Sequence, residues 1–135
     1  MTEDRKNKYI TGAFFLLFGL TMAFLFWKCP YGYAHEDEPL ALTIPYRMCL
    51  GDCLLTQEWH LSQLSCFPLY PTMKLYLAVF GGTTGMVLHF RYLYTLVWGM
   101  AACFFFFRLR RFSRIGALLS SLSFLLYAPT ESLCW

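Results

Sequence analysis

The chain has 135 residues, of which 58% are hydrophobic and only 14% are charged, and its formal net charge is +3. A soluble domain of this length cannot bury so much apolar surface, and so modest a charge without a recognition motif argues against nucleic acid as a partner. We therefore expect an all-α integral membrane protein, organised as a single membrane domain over residues 1–135.

The first predicted element is a transmembrane helix over residues 9–27, a run of 19 residues without a charge. At about 1.5 Å per residue this run matches the ~30 Å thickness of the hydrocarbon core. Tyr9 and Trp27 stand at its two ends, where amphipathic rings favour the interface with water. The run is longer than the apolar part of a signal peptide, and no small-residue cleavage site follows it, so we expect a retained anchor.

Residues 28–71 form the predicted extramembrane loop, which contains four of the six cysteines. Turn-forming residues are frequent at both ends of this loop. Between Pro45 and Pro68 we expect one short helix, Arg47 to Ser65, weakened by Gly51.

The four loop cysteines are predicted to form two disulfides. Cys49 and Cys53 lie four apart on the expected helix, where their β-carbons would be about 5–6 Å apart, too far for a bond to each other. Each is expected to bond instead to Cys29 or Cys66, in either arrangement. Two such bonds would staple both ends of the loop to its helix and remove chain entropy from the unfolded state.

The apolar stretch 72–107 contains one or two crossings. A single helix over all of it would measure about 54 Å, too long for one crossing unless part of it leaves the bilayer. Two spans that meet near "HFR", residues 89–91, would each be short, and no turn-forming residue lies between them. The last apolar run, 115–128, is predicted to be a short span or an interfacial helix.

Basic residues favour three spans over four. One cluster lies at the N-terminus (Arg5, Lys6 and Lys8), and a second follows the 72–107 stretch (Arg108, Arg110, Arg111 and Arg114). Because basic residues collect on the cytoplasmic-type side of a membrane, both clusters are expected on one side. That placement requires a single crossing within 72–107, in addition to the span at 9–27, and four spans remain the alternative.

Two pairs of small residues are candidates for close helix packing. Gly19 and Ala23 in the first span, and Gly81 and Gly85 in the next apolar stretch, each show the spacing of two small residues four apart that lets helix backbones approach. The contact is with a partner subunit or with another helix of the same chain; the sequence supports both interpretations.

The second basic cluster also predicts lipid contact. Guanidinium groups next to an apolar run can bind phosphates through two parallel hydrogen bonds. Four arginines are therefore predicted to bind an anionic, cardiolipin-like phospholipid: Arg108, Arg110, Arg111 and Arg114. A basic cluster whose only role is to orient the chain in the membrane would give the same pattern.

Few other residues offer chemistry. No Asp or Glu lies in an apolar run, no C-x-x-C motif occurs, and the loop cysteines with His60 lack the paired spacing of a zinc site. His89 and Arg91 are polar residues expected near membrane depth. The sequence leaves two interpretations open: they contact a cofactor or a partner carboxylate, or they mark an interfacial turn. We expect no catalytic residue, no metal site and no cofactor.

These patterns predict a non-catalytic accessory subunit of a larger membrane complex, in contact with other membrane-protein subunits. We expect the mitochondrial inner membrane and a respiratory or ATP-synthase assembly, with the cysteine loop in the oxidising compartment. Three features favour this location: the expected disulfides of the loop, the lack of a cleaved secretory signal and the lack of an N-x-S/T sequon. One alternative is a small tetraspan protein of the cell surface or secretory pathway. Another is a thiol-redox, quinone-linked or haem-linked membrane enzyme.

Overall fold

The computed structural model describes residues 3–31, 37–54, 56 and 66–132. These residues form helices and no strand, which confirms the all-helical fold class. The helices are α1 (Glu3–Lys28), α2 (Asp37–Leu50), α3 (Cys66–Phe80), α4 (Met86–Leu109) and α5 (Arg114–Ser132). They fall into two compact units: unit 1 contains α1, α4 from Arg91 onward and α5, and unit 2 contains α2, α3 and the start of α4.

Two of the described helices, α1 over Lys8–Lys28 and α4 over Met86–Leu109, are long and apolar enough to cross a membrane. The apolar part of α5, Arg114–Tyr127, is shorter. Of the three or four predicted spans, two therefore have the required length in the described part of the chain.

Unit 1 is a bundle in which α1 and α4 run antiparallel. Near the start of α1, the ring of Phe14 stacks on Phe106, close to the end of α4. Near the end of α1, the ring of Phe26 contacts Tyr92, close to the start of this part of α4. The short turn after α4 returns the chain as α5, which therefore runs parallel to α1.

The core of unit 1 has two apolar clusters, each built from all three helices. One contains Phe14, Phe106 and Ala117, and the other contains Leu25, Ala102 and Leu125. On α4, the indole N–H of Trp98 donates to the main-chain oxygen of Phe124 on α5 at 3.1 Å, and the two rings stack with centroids 4.5 Å apart. Packing at two levels and a hydrogen bond between helices fix α5 against α4.

In unit 2, α2 packs against α3 and ends at Gly51. The N–H of Gly51 donates to the main-chain oxygen of Met48, and the N–H of Asp52 donates to that of Arg47. This pair of bonds is the Schellman C-cap, which needs a residue with positive φ, and Gly51 has φ of 107°. The carboxylate of Asp52 also accepts a 2.6 Å bond from Arg47, which closes the cap.

The predicted helix from Arg47 to Ser65 is therefore wrong in the part that the structure describes. The helix begins at Asp37, includes Pro45 and ends at Leu50. Its end follows from the C-cap, because the chain turns away at Gly51 instead of continuing. Part of the predicted helix, 57–65, lies outside the described residues, as do His35, His60 and Cys134.

The alternative in which two spans meet near "HFR" is also not found. Residues 89–91 lie inside α4, and the break between α3 and α4 falls at "GGTTG", residues 81–85. Gly81 and Gly85 adopt φ of 67° and 80°, values that favour glycine. The hydroxyl of Tyr76 donates a 2.6 Å bond to the main-chain oxygen of Thr84 and ties this turn to α3.

Candidate functional site

The arginines that follow α4 line a cleft at one end of unit 1. The cleft has a volume of about 230 Å³ and is formed by α1 near Ile10, the end of α4, the turn that follows it and the start of α5. Its lining residues are Ile10, Thr11, Phe106, Arg110, Arg111 and Arg114. Three of the four arginines predicted to bind lipid thus come together, whereas Arg108 does not line the cleft.

A tight turn between α4 and α5 positions these arginines. The N–H groups of Phe112 and Ser113 both donate to the main-chain oxygen of Leu109, the last residue of α4. The hydroxyl of Ser113 then accepts a 3.2 Å bond from the N–H of Gly116, which is the N-cap geometry of α5. Because the turn is short, the arginines on it and at the start of α5 line the same cleft.

The part of the chain that carries the arginines of the cleft has no carboxylate of its own. The sequence from Met86 to Thr130 contains no Asp or Glu. Within the described residues, no carboxylate forms an ion pair with Arg110 or Arg111. The guanidinium of Arg110 instead lies over the ring of Phe107, 4.8 Å from its centroid, in a cation–π contact. An anion entering the cleft would therefore meet positive charge.

The predicted disulfide staple is not formed in this structure. No bond joins any two of the described cysteines, which are Cys29, Cys49, Cys53, Cys66 and Cys103. The thiol of Cys29 is buried in unit 1, 3.5 Å from the hydroxyl of Thr95. In unit 2, the thiol of Cys66 points to the thioether of Met48 at 3.3 Å. The two cysteines expected to anchor the loop are thus packed against other partners.

Burial raises the pKa of two loop thiols. It raises the pKa of Cys49, and Lys74 opposes this only in part. Burial likewise raises the pKa of Cys66. Since the thiolate is the nucleophile and the metal ligand, a raised pKa makes both cysteines less reactive at neutral pH. In the part of the chain that is described, no three His, Cys, Asp or Glu residues come together as a possible metal site.

Arg91 has a structural contact that the sequence did not reveal. Its guanidinium donates a 2.9 Å bond to the main-chain oxygen of Cys29, just after the end of α1. The hydroxyl of Thr95 in turn bonds to the main-chain oxygen of Arg91. A cation at a helix C-terminus interacts favourably with the helix dipole, so Arg91 secures α1 against α4.

His89 lies in unit 2 and contacts an aromatic ring. Its imidazole lies 4.8 Å from the ring of Tyr76, centroid to centroid, and the histidine is exposed. This contact gives His89 a packing role at the turn between α3 and α4.

The predicted small-residue pairs do not form close helix contacts within the described residues. Gly81 and Gly85 lie in the turn between α3 and α4, so they do not share a helix face. Gly19 and Ala23 are both exposed on α1, and a Cβ added at Gly19 would meet nothing within 4 Å.

The small residues that do permit close packing were missed in the sequence. A Cβ added at Gly99 on α4 would lie 2.8 Å from the Sδ and Cε atoms of Met22, so this glycine makes room for a side chain of α1. On α5, Ala117 and Ser121 are buried and four residues apart. That spacing was a usable signal, but only the observed helix pairing shows which small residues face a neighbour.

Searches with protein-family models, curated proteins and solved structures found no match to this chain.

Proposed function

We propose that this chain is a non-catalytic subunit of a larger membrane assembly, embedded through unit 1. The observation that supports the proposal most strongly is the exposure of its apolar helices. In α1, only 11% of the most apolar 18-residue stretch is buried within the chain, and in α4 the corresponding share is 22%. A core helix of a soluble protein would be mostly buried, so these faces need another apolar cover.

Large side chains dominate the uncovered faces. On α1 and α4 they include Tyr9, Phe15, Leu16, Leu20, Phe24, Trp27, Met100 and Phe104. At about 25 cal/mol per Å² of apolar surface, leaving such faces in water would be strongly unfavourable. Lipid tails and the helices of partner subunits both provide the cover, and aromatic faces of this size favour close contacts with neighbouring proteins.

The charge distribution supports a three-span arrangement for unit 1. Since α1 and α4 are antiparallel, Lys8 and the cluster that starts at Arg108 lie at the same end of the bundle. The positive-inside rule then places this end on the cytoplasmic-type side. The apolar part of α5 would return toward the other side as a short third span.

Sequence alone supports the choice of membrane within this proposal. The absence of a sequon and of a cleavage site after α1 makes the mitochondrial inner membrane our first candidate, in a respiratory or ATP-synthase assembly. The oxidised loop that also favoured this compartment requires disulfides, and none joins the described cysteines. The proposal therefore depends on the helices and not on the thiols.

Native gel electrophoresis after extraction in a mild detergent tests the proposed function. We expect the chain to stay in the membrane pellet after an alkaline wash and then to migrate with an assembly several times its own 15.8 kDa mass. Identification of the components would name the complex. A small homo-oligomer would favour the tetraspan alternative, and a lone monomer that turns over a substrate would contradict the proposal.

A further inference from the structure

We propose that the cleft at the start of α5 binds the phosphate of an anionic phospholipid, held by Arg110, Arg111 and Arg114. The inference rests on the membrane-embedded function proposed above and deepens it, because it names the ligand class and the residues that hold it. It also removes Arg108 from the predicted site, since this arginine does not line the cleft.

The polar wall of the cleft suits a phosphate. Three guanidinium groups line a single cavity, and the stretch that carries them, residues 86–130, contains no Asp or Glu. Arg110 is already positioned by its contact with the ring of Phe107. A guanidinium that stacks by its face keeps the N–H groups at its edge directed outward, where they can bind two phosphate oxygens at once.

The remaining walls favour a lipid over a free anion. Ile10 and Phe106 give the cleft an apolar side, and Thr11 adds a hydroxyl. A volume of about 230 Å³ leaves room for a phosphate and the adjoining glycerol. Inorganic phosphate would fill the polar part and leave the apolar wall unused.

The position of the cleft along the bundle also fits a lipid. It lies where the apolar run of α1 begins and that of α4 ends, at the level expected for headgroups. Next to it, the exposed rings of Phe15 and Phe107 lie 6.2 Å apart on the two helices. Acyl chains of a lipid whose phosphate occupies the cleft would run along these rings.

Binding of phosphatidylglycerol to the purified chain in a neutral detergent, measured by native mass spectrometry, tests this inference. At about 1 kcal/mol for each basic residue, removing one arginine weakens binding about five-fold. We expect about 25-fold weaker binding in the double variant Arg110→Gln/Arg111→Gln. The matched control Arg108→Gln removes an equal charge outside the cleft and should weaken binding two-fold or less.

A charge-conserving variant separates the site from general surface charge. Arg110→Lys/Arg111→Lys keeps both charges but loses the paired donors of each guanidinium. We therefore expect its affinity for phosphatidylglycerol to lie between that of the wild type and that of the double glutamine variant. Equal weakening by Arg108→Gln and by either single glutamine variant would overturn the inference, as would full binding by the double glutamine variant.

Two further measurements distinguish the possible ligands and the two proposals. Millimolar inorganic phosphate should not displace phosphatidylglycerol, and complete displacement would reveal a site for free anions instead of lipid. The detergent assay does not require a membrane. Loss of the chain from alkaline-washed membranes would therefore overturn the proposed function, whereas failure of the arginine variants to change binding would overturn only the lipid site.

Discussion

Replacing Phe14 with alanine is expected to lower the free energy of unfolding of unit 1 by about 2–3 kcal/mol. The side chain of Phe14 is fully buried, and its ring stacks on that of Phe106 with centroids 3.8 Å apart and planes 1° from parallel. It also belongs to the cluster that joins α1 to Ala117 of α5. The change therefore leaves a cavity where the three helices pack together.

The cavity sets the size of this effect. Between helices in lipid the transfer of apolar surface from water contributes little, because the helices stay in an apolar medium when they separate. Lost packing remains, and a void of roughly 100 Å³ at about 24 cal/mol per Å³ costs about 2.4 kcal/mol. We therefore expect a clear loss of stability without the full cost of a Phe→Ala change in a soluble core.

Titration with sodium dodecyl sulfate in mixed micelles measures the change, followed by the emission of Trp98 in a chain whose other three tryptophans are replaced by phenylalanine. The matched control is Leu16→Ala, on the same helix, because 63% of the Leu16 side chain is exposed. This control should change the free energy of unfolding by less than about 0.5 kcal/mol. Equal effects at the two positions would mean that α1 does not pack on α4 as described.

The second large effect is expected from Arg91→Met, at about 2 kcal/mol. Methionine keeps much of the apolar length of arginine but cannot donate to the main-chain oxygen of Cys29, which then loses a 2.9 Å bond from a cation. Hydrogen bonds to charged groups contribute about 1.5–3 kcal/mol. The acceptor is also at the C-terminal end of α1, where a cation offsets the helix dipole.

The same titration measures the Arg91 variants. Lys28→Met is the matched control, because it removes a positive charge from the same end of α1. If only net charge mattered, Lys28→Met and Arg91→Met would destabilise equally, which would contradict the assigned bond. Arg91→Lys should recover part of the loss, since an ammonium group retains the charge but not the geometry of the guanidinium.

Local patterns in the sequence predicted the helices that depend on apolar length. The 9–27 run lies within α1, and three of the four arginines after Phe107 do come together, because both features follow from neighbouring residues. The helix follows from the hydropathy of about 20 consecutive residues, and the arginine cluster follows from a short turn.

The breaks between helices were harder to predict, because glycine has two roles. "GGTTG" was interpreted as a packing face, but its end glycines adopt positive φ and close the turn after α3. Pro45 was taken as a helix boundary, yet it is buried inside α2, whereas Gly51 ends that helix. The spacing of residues does not show which of these roles a glycine or proline will take.

Contacts between distant segments could not be predicted from one sequence. Gly99 matters because Met22 lies opposite it, and Arg91 matters because the main-chain oxygen of Cys29 is within reach. Both facts require the pairing of α1 with α4. The predicted disulfides are not seen among the described cysteines. The contact of the Cys29 thiol with Thr95 in unit 1 likewise requires the pairing of α1 with α4.

Labelling of single cysteines with a membrane-impermeant maleimide tests the central claim that α1 and α4 cross a membrane as an antiparallel pair. In a chain whose native cysteines are replaced by serine, Lys8→Cys, Ser113→Cys and Tyr31→Cys would each report one end of the bundle. We predict that Cys substituted at positions 8 and 113 reacts from one side of sealed vesicles, and that Cys at position 31 reacts only from the other. Reaction of all three from the same side would contradict the account.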